Sequence, residues 1–460
     1  MRVHFIAIGG SAMHNLAIAL KLKGYHVTGS DDTIEEPSAS RLKKHGIYPA
    51  KLGWDPDRID PGLKAVILGM HARPDNPELL KAQELGVKVY SYPEYIFEQS
   101  RNKKRVVIGG SHGKTTITSM ILHVLHACGT DFDYLVGAQL AGFETMVRIT
   151  DAPLIIIEGD EYLSSPIDRR PKFHLYHADI AVLSGIAWDH INVFPTFENY
   201  VEQFSLFLKT MEPGGTVFYN QDDETVQSVI DKDESPLTKK GYTAIESVTR
   251  KGITYLNYKG KEVPLSVFGA HNLYNMEAAH SVCKALEISD DQFYQAIGTF
   301  KGASRRLELL ASSGNTAVYK DFAHSPSKLK ATIQAVKDQF EDRELVAVIE
   351  LHTFSSLNKN FLAEYKGSMD RADLPVVFIN KKTFEEKQLE PYDESVVKEA
   401  FGNNKLLFFN NCEILDEFLS CINYKGKNLL LMSSGNFGGL DLDRIAQRTI
   451  AQAKQYNIQT

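Results

Sequence analysis

A lysine that follows a glycine and precedes two threonines, Gly113-Lys114-Thr115-Thr116, is a combination that can handle a nucleotide phosphate. The lysine brings a point charge to the outer phosphate oxygens, and the Thr115 hydroxyl suits a hard cation such as Mg2+. Just upstream, Gly110, Ser111 and His112 form a short turn whose backbone N–H groups can line an anion. Further along, apolar runs end in acids and imidazoles. Glu158, Asp160 and Glu161 close "LIIIEGDE", and Asp189 with His190 closes "LSGIAWDH". Ligands of parallel α/β sheets gather beyond the carboxyl ends of the strands, so these groups are expected on one edge with Thr115. Glu158 can hold magnesium directly or through water. His190 suits a second metal or a proton transfer.

Such groups work only if a strand and a helix position them. Val106, Val107 and Ile108 read as a buried β-branched strand. After the turn, Ile117, Met120, Ile121, Val124, Leu125 and Cys128 fall on one helical face, and Gly129 offers the left-handed residue that ends a helix. Strand, glycine turn and helix N-terminus together make an anion cradle. The strict phosphate-loop pattern would put glycine at 108, where this chain has Ile108.

The N-terminal "AIGGSAM", with Asp31 closing a second strand, invites comparison with a dinucleotide fingerprint, which needs glycine at 7, 9 and 12. Ala7 and Ala12 stand at two of those positions, which argues against a nicotinamide-dependent dehydrogenase. The better reading is that Gly9 and Gly10 let the backbone approach another diphosphate, such as that of a UDP-sugar.

At 460 residues the chain is too long for a single core. Its 43% hydrophobic and 24% charged residues are those of a soluble globular protein, and a net charge of −7 speaks against nucleic-acid binding. Cysteines at 128, 283, 412 and 421 show neither metal-ligand spacing nor a disulfide framework. "MRVHFIAIGG" reads directly as a strand, so no signal peptide is expected; with no apolar run long enough to span a bilayer, a cytoplasmic location without membrane insertion is expected. Strand and helix signals alternate throughout, which means parallel sheets with covering helices. The expected architecture is α/β in three domains. Residues 1–100 form a Rossmann-like domain for a UDP-sugar, and 101–308 a central phosphate-loop ATPase-like domain with a mostly parallel sheet. Residues 309–460 form a Rossmann-like α/β domain that binds peptide and closes on ATP.

In sequence order, "HFIAIGGSAM" with "GSDD", "DNPEL", "GGSHGKTT", "EGDEY", "WDHINVF", "GAHNLYNMEAA", "FKGASRRLE" and "DFAHSPSKLKAT" resemble the Mur ligase family, over nearly the whole chain. The resemblance implies ATP and Mg2+ as cofactors and UDP-N-acetylmuramate as a substrate. It places that UDP-sugar against Gly9, Gly10, Ser11, Ala12, Met13, Ser30, Asp31 and His71. Gly110 through Thr116, Lys114 above all, would hold the ATP phosphates. Thr115 and Glu158 would bind magnesium, and His190 would serve a second metal. Asn272 and Asn275 match adenine-contacting positions, though by spacing alone a helix cap and a turn are the better explanation. Arg306, beside Arg305, matches an arginine that reaches the phosphates, Asp321 a ribose-binding acid, and His324 a group beside the reacting atoms. Lys114, His190, His324 and Arg306 are thus the expected catalytic set. Ser205 stands where some members carry a carbamylated lysine, so none is expected.

Three features resemble the branch that adds the tripeptide L-Ala-γ-D-Glu-meso-diaminopimelate during peptidoglycan recycling. These are the run Asp168, Arg170, Lys172 and Phe173, the glycine-rich "LLLMSSGNFGGL", and "ELHTFSSLNKN", which lacks the arginines of the alanine-adding branch. The alternative acceptor is L-alanine, in peptidoglycan synthesis. Outside the enzyme class, a nucleotide-dependent binding protein without chemistry is the rival, and the intact Lys114, Thr115, Glu158 and His190 argue against it. Both a monomer and a dimer stay open.

Overall fold

The computed structural model describes residues 1–458, the last four of them by backbone alone. Its strands build four sheets. The first has β1 (Arg2–Ile6), β2 (His26–Ser30), β3 (Ala65–Leu68) and β4 (Val89–Ser91), all parallel, in spatial order β2-β1-β3-β4. The second has β5 (Lys104–Gly109), β6 (Asp133–Leu135), β7 (Val147–Arg148), β8 (Leu154–Glu158), β9 (Ile180–Leu183), β10 (Thr216–Asn220) and β11 (Thr238–Tyr242). Its order is β11-β10-β9-β5-β8-β6-β7, and only β7 runs antiparallel to its neighbour. A small antiparallel sheet follows in β12 (Ser247–Arg250), β13 (Ile253–Tyr258) and β14 (Lys261–Leu265). The last sheet, β15 (Glu308–Ser313), β16 (Thr316–Asp321), β17 (Glu344–Glu350), β18 (Leu374–Phe378), β19 (Leu407–Phe409) and β20 (Lys427–Met432), has the order β15-β16-β20-β17-β18-β19. It is parallel except for its edge strand β15.

The central strands read as continuous apolar runs because helices cover both faces. Ile155, Ile156 and Ile157 of β8, and Val106, Val107 and Ile108 of β5, are wholly buried. Ile108, the departure from the phosphate-loop pattern, is therefore an ordinary core residue of β5. The helix Lys114–Ala127 is buried on nearly every side, from Thr115 to Leu122 and at Val124 and Leu125. The single apolar stripe expected from the sequence understates it. The helix ends at Cys128, with Gly129 at φ 68° as the spacing anticipated.

Chain contacts divide the molecule into two compact units. One holds residues 1–186, 195–243 and 277–293, hence the first two sheets; the other holds 187–194, 244–276 and 294–460, hence the last two. The three-domain boundaries expected from the sequence did not anticipate that 187–194 and 244–276 pack with the last sheet. Apolar side chains drive that partition: Trp188, Ile191 and Phe268 pack on the same core as Leu345, Ala347 and Ile349 of β17.

Candidate active site

In the first unit the phosphate loop is built by register. Ile108 of β5 lies opposite Glu158 of β8, and Gly109 opposite Leu183 of β9, so three strand ends meet around residues 110–113. Gly110 has φ 134°, and a Cβ there would lie 2.1 Å from Ser184 Oγ; only glycine fits. Gly113, at φ 82°, precedes the helix, whose first residues are Lys114, Thr115 and Thr116. Their N–H groups, and the positive end of the helix dipole, face the turn.

The Ser111, Lys114 and Thr115 side chains of the loop are tied down. Lys114 Nζ donates to the Gly110 carbonyl at 2.5 Å and pairs with Glu161 Oε2 at 2.6 Å. Burial alone would lower the Lys114 ammonium, but Glu161 and Asp160 outweigh it and hold it above its ordinary value. Glu161, only 1% exposed, accepts the Tyr200 hydroxyl at 3.1 Å, and Tyr200 hydrogen-bonds Ser111 Oγ at 2.8 Å. Thr115 Oγ1 donates to Glu158 Oε1 at 2.7 Å, and the Gly137 N–H donates to Oε2 at 2.6 Å. The backbone carbonyl of His112 accepts from the Ser184 hydroxyl.

Thr115 and Glu158 offer only oxygen donors, which fits a hard cation that takes its other ligands from phosphate and water. His190, expected to serve a second metal, lies on the segment 187–194, which is grouped with the other unit. Among the described residues no cluster of three or more His, Cys, Asp or Glu has metal-ligating geometry.

The N-terminal glycine turn lies in the same unit. Gly9 N–H donates to Asp31 Oδ2 at 2.7 Å, and Gly10 precedes the helix Ser11–Leu22. Ala7 sits at φ 65°, so the left-handed turn of the fingerprint exists here with alanine in place of glycine. Burial, with the Asp32 carboxylate beside it, pushes the Asp31 carboxyl up to about 6 against the Gly9 hydrogen bond. Ser11, Ala12 and His71 are exposed. Met13, Ser30 and Asp31 are not. Met13 is buried, and Ser30 is wholly buried, its hydroxyl donating to Glu78 Oε1 at 2.6 Å and accepting from Arg58 at 2.6 Å. Strand alternation turns Ser30 inward, and Asp31, just past the end of β2, is buried against the Gly9 turn. Glu78, from the "DNPEL" motif, also meets His4 at 3.2 Å, and both are wholly buried.

The second unit carries the remaining residues. His324 follows β16; its Nδ1 lies 2.8 Å from the Phe322 carbonyl, which can only accept, so Nδ1 carries the proton and Nε2 the lone pair. Burial, then the Lys328 ammonium, lowers His324 to about 4 despite the nearby Asp189 carboxylate. Asp189 pairs with Lys328 at 3.2 Å; burial opposes its ionisation, but Lys328, His190 and His324 hold it well below the usual carboxylate range. The Arg306 guanidinium lies 4.7 Å from the Phe322 ring centroid. Arg305 is exposed at φ 59°, and its carbonyl accepts the Phe322 N–H. Asp321 is buried and its oxygens are engaged: Oδ2 by Leu307 N–H at 2.7 Å, Oδ1 by Ala323 N–H at 2.7 Å. That carboxylate holds the arginine loop to the end of β16, a role its position in sequence did not disclose. Asn272 and Asn275 are buried in the first turns of the helix Ala270–Ala285, and the Asn272 amide donates to Phe268 O at 2.8 Å.

Sequence reasoning placed Glu161 at the strand edge without a role, and missed Tyr200, Glu78 and Lys328. The "DNPEL" motif was a usable signal for Glu78. Lys328 likewise lies in the "DFAHSPSKLKAT" motif, whereas nothing local to Tyr200 marks it, since its partners are distant in the chain.

A phosphate loop with oxygen donors, in a four-sheet α/β fold with a second glycine turn, defines a nucleotide-dependent enzyme of the group-transfer type. Residues 2–104 match the model of the Mur ligase family catalytic domain, and residues 108–283 that of the Mur ligase middle domain. A UDP-N-acetylmuramate–L-alanine ligase of Sulfurihydrogenibium sp. (strain YO3AOP1) is 31% identical over 446 residues, 95% of each chain. A UDP-N-acetylmuramate–L-alanyl-γ-D-glutamyl-meso-2,6-diaminoheptandioate ligase of Haemophilus influenzae is 27% identical over 451 residues, 95% of this chain and 97% of that one. The crystal structure of a UDP-N-acetylmuramate–alanine ligase from Thermotoga maritima superposes with a TM-score of 0.69 at 21% identity, covering 100% of both chains. The chain belongs to the Mur ligase family, ATP-dependent amide-bond-forming enzymes of peptidoglycan metabolism.

Proposed function

We propose that the protein joins a murein tripeptide, L-Ala-γ-D-Glu-meso-diaminopimelate, to the lactyl carboxylate of UDP-N-acetylmuramate. One observation carries the choice of acceptor. Beyond β17, where a small amino acid's carboxylate would call for a guanidinium fork, the chain has Thr353 and Ser356. Their side chains bond each other at 3.0 Å and close a turn, leaving no cation at those positions. The run Asp168 to Phe173 lends less support than its sequence suggested. Lys172 ties it to Asp160 at 2.5 Å and Phe173 stacks on Phe207 at 4.6 Å, so packing accounts for it. A second reading, L-alanine as acceptor, is favoured by the higher identity to the alanine-adding relative.

In the proposed reaction the lactyl carboxylate attacks the γ-phosphorus of ATP, giving an acyl phosphate and ADP. The acceptor amine then adds to the acyl carbon and phosphate leaves. Lys114 and Arg306 offset the charge on the transferring phosphoryl group. Thr115 and Glu158 would hold magnesium, which when bound neutralises phosphate charge. The Gly9–Gly10 turn, which the Gly9 N–H ties to Asp31, receives the UDP moiety. His324, with an unprotonated Nε2 at neutral pH, is suited to take the amine proton. The test is phosphate release from ATP and Mg2+ with UDP-N-acetylmuramate, comparing tripeptide with L-alanine. Release with tripeptide alone supports the reading; release with alanine alone replaces it by the second.

A further inference from the structure

The turn 187–194 belongs to the second unit, and several of its contacts there hold it in place. The Trp188 indole N–H donates to Phe194 O at 3.0 Å, and its ring meets Phe361 edge-on at 6.1 Å between centroids. Asp189 is 7% exposed and its carboxylate is shared. Oδ1 accepts the His190 N–H at 2.8 Å, and Oδ2 faces Lys328 Nζ at 3.2 Å. His190 itself sits at φ 55°, a region that side chains with a Cβ seldom enter. Its carbonyl accepts the Val193 and Phe194 N–H groups, which completes the turn.

Lys328 is the third residue of the helix Pro326–Gln339. A cation there meets the positive end of the helix dipole, so the helix gives no reason for it. Asp189 does. We propose that Lys328 is a positioning residue of the ligation reaction: through Asp189 it fixes the left-handed turn that presents His190. It touches neither substrate nor nucleotide in this role. Without the ammonium, Asp189 is a buried carboxylate lacking its counter-charge and turns away from the His190 N–H. The uncapped turn then relaxes toward negative φ and carries the imidazole with it. Trp188 on Phe361 keeps the segment docked, so the change stays local. The assignment of His190 to the chemistry rests on the ligase reading above.

The test uses the full chain with ATP, Mg2+, UDP-N-acetylmuramate and whichever acceptor the wild-type protein turns over. Lys328→Met is expected to lower kcat about tenfold or more, with KM for ATP and for the UDP-sugar within about twofold, and Lys328→Arg to restore most of the rate. Independently of turnover, the His190 imidazole resonance in protein labelled with 15N-histidine, assigned with His190→Gln, should move in Lys328→Met and return in Lys328→Arg. Should the methionine variant not fold, Lys328→Gln, which keeps a donor without the charge, is read the same way. A folded variant with unchanged kcat and an unmoved resonance overturns the proposal. A wild-type protein silent with every acceptor would refute the ligase reading instead, while the resonance would still decide whether Lys328 holds the turn.

Discussion

Glu161→Gln would expose what the phosphate-loop lysine costs the protein when no nucleotide is bound. Lys114 is confined by two oxygens, Gly110 O at 2.5 Å and Glu161 Oε2 at 2.6 Å, and Glu161 is 1% exposed. Breaking such a buried pair by removing one charge costs about 3–5 kcal/mol. Glutamine keeps an acceptor oxygen, so the lower end, about 3 kcal/mol, is the better figure. Glutamine must also choose, offering that oxygen either to Lys114 or to the Tyr200 hydroxyl. At roughly 2–4 °C per kcal/mol for units of this size, the nucleotide-free variant should melt about 6–12 °C below wild type. Bound ATP changes the comparison, because its phosphate oxygens supply the missing counter-charge. In the wild-type protein those oxygens compete with Glu161 for the lysine; in the variant they do not. Nucleotide should therefore raise the variant's melting temperature more than it raises that of wild type. If the whole 3 kcal/mol were recovered, the variant would bind ATP about a hundredfold more tightly. Scanning calorimetry with and without ATP and Mg2+, and titration calorimetry for affinity, measure both quantities. Equal nucleotide-induced shifts in the two proteins would refute the competition, and an unchanged melting temperature without nucleotide would refute the buried pair itself.

Lys114→Ala should abolish ATP-dependent ligation while UDP-sugar affinity stays within about twofold, since the glycine turn of the first sheet is built from other residues; a folded variant with lost UDP-sugar affinity by titration calorimetry would contradict that. Asp321→Ala should raise KM for ATP and, by freeing the Leu307 and Ala323 N–H groups, cost about 3 kcal/mol of stability. A lowered melting temperature with an unchanged KM would leave Asp321 as a loop tie only. The raised pKa of Asp31, about 6, means that the folded state binds a proton the unfolded chain has released. Its contribution is thus present below the ordinary carboxylate range and is lost as pH rises to about 6. Asp31→Asn should flatten that segment of the stability–pH curve, and a curve identical to wild type would show Asp31 to be unperturbed.

Much of this protein is legible from residue order alone, because some signals are local. Val106 to Ile108, the turn with Gly110 and Gly113, and the apolar helix after Lys114 follow one another within a single strand–turn–helix. Chain geometry then brings the Lys114 and Thr115 side chains to the turn whatever else the chain does. Apolar runs that end in Glu158 and Asp321 equally announce strand ends, since parallel strands are buried on both faces and release polar residues only at their termini; the run before Asp189 does not, because β9 stops at Leu183. What sequence could not reveal depends on which strand lies beside which. The register of β5 with β8 and β9 sets Glu158 against Thr115 and brings Glu161 to Lys114. Helix packing alone brings Tyr200 beneath the loop. Strand alternation, read only once β2 is paired, turns the Ser30 hydroxyl into the interior with Glu78. The pairing of Asp189 with Lys328, 139 positions apart, required the turn 187–194 to pack on the core of the last sheet through Trp188 and Ile191. Local steric preference and periodicity determined the elements and the chemistry they carry. Burial of apolar surface, which is blind to order along the chain, decided which of those groups met.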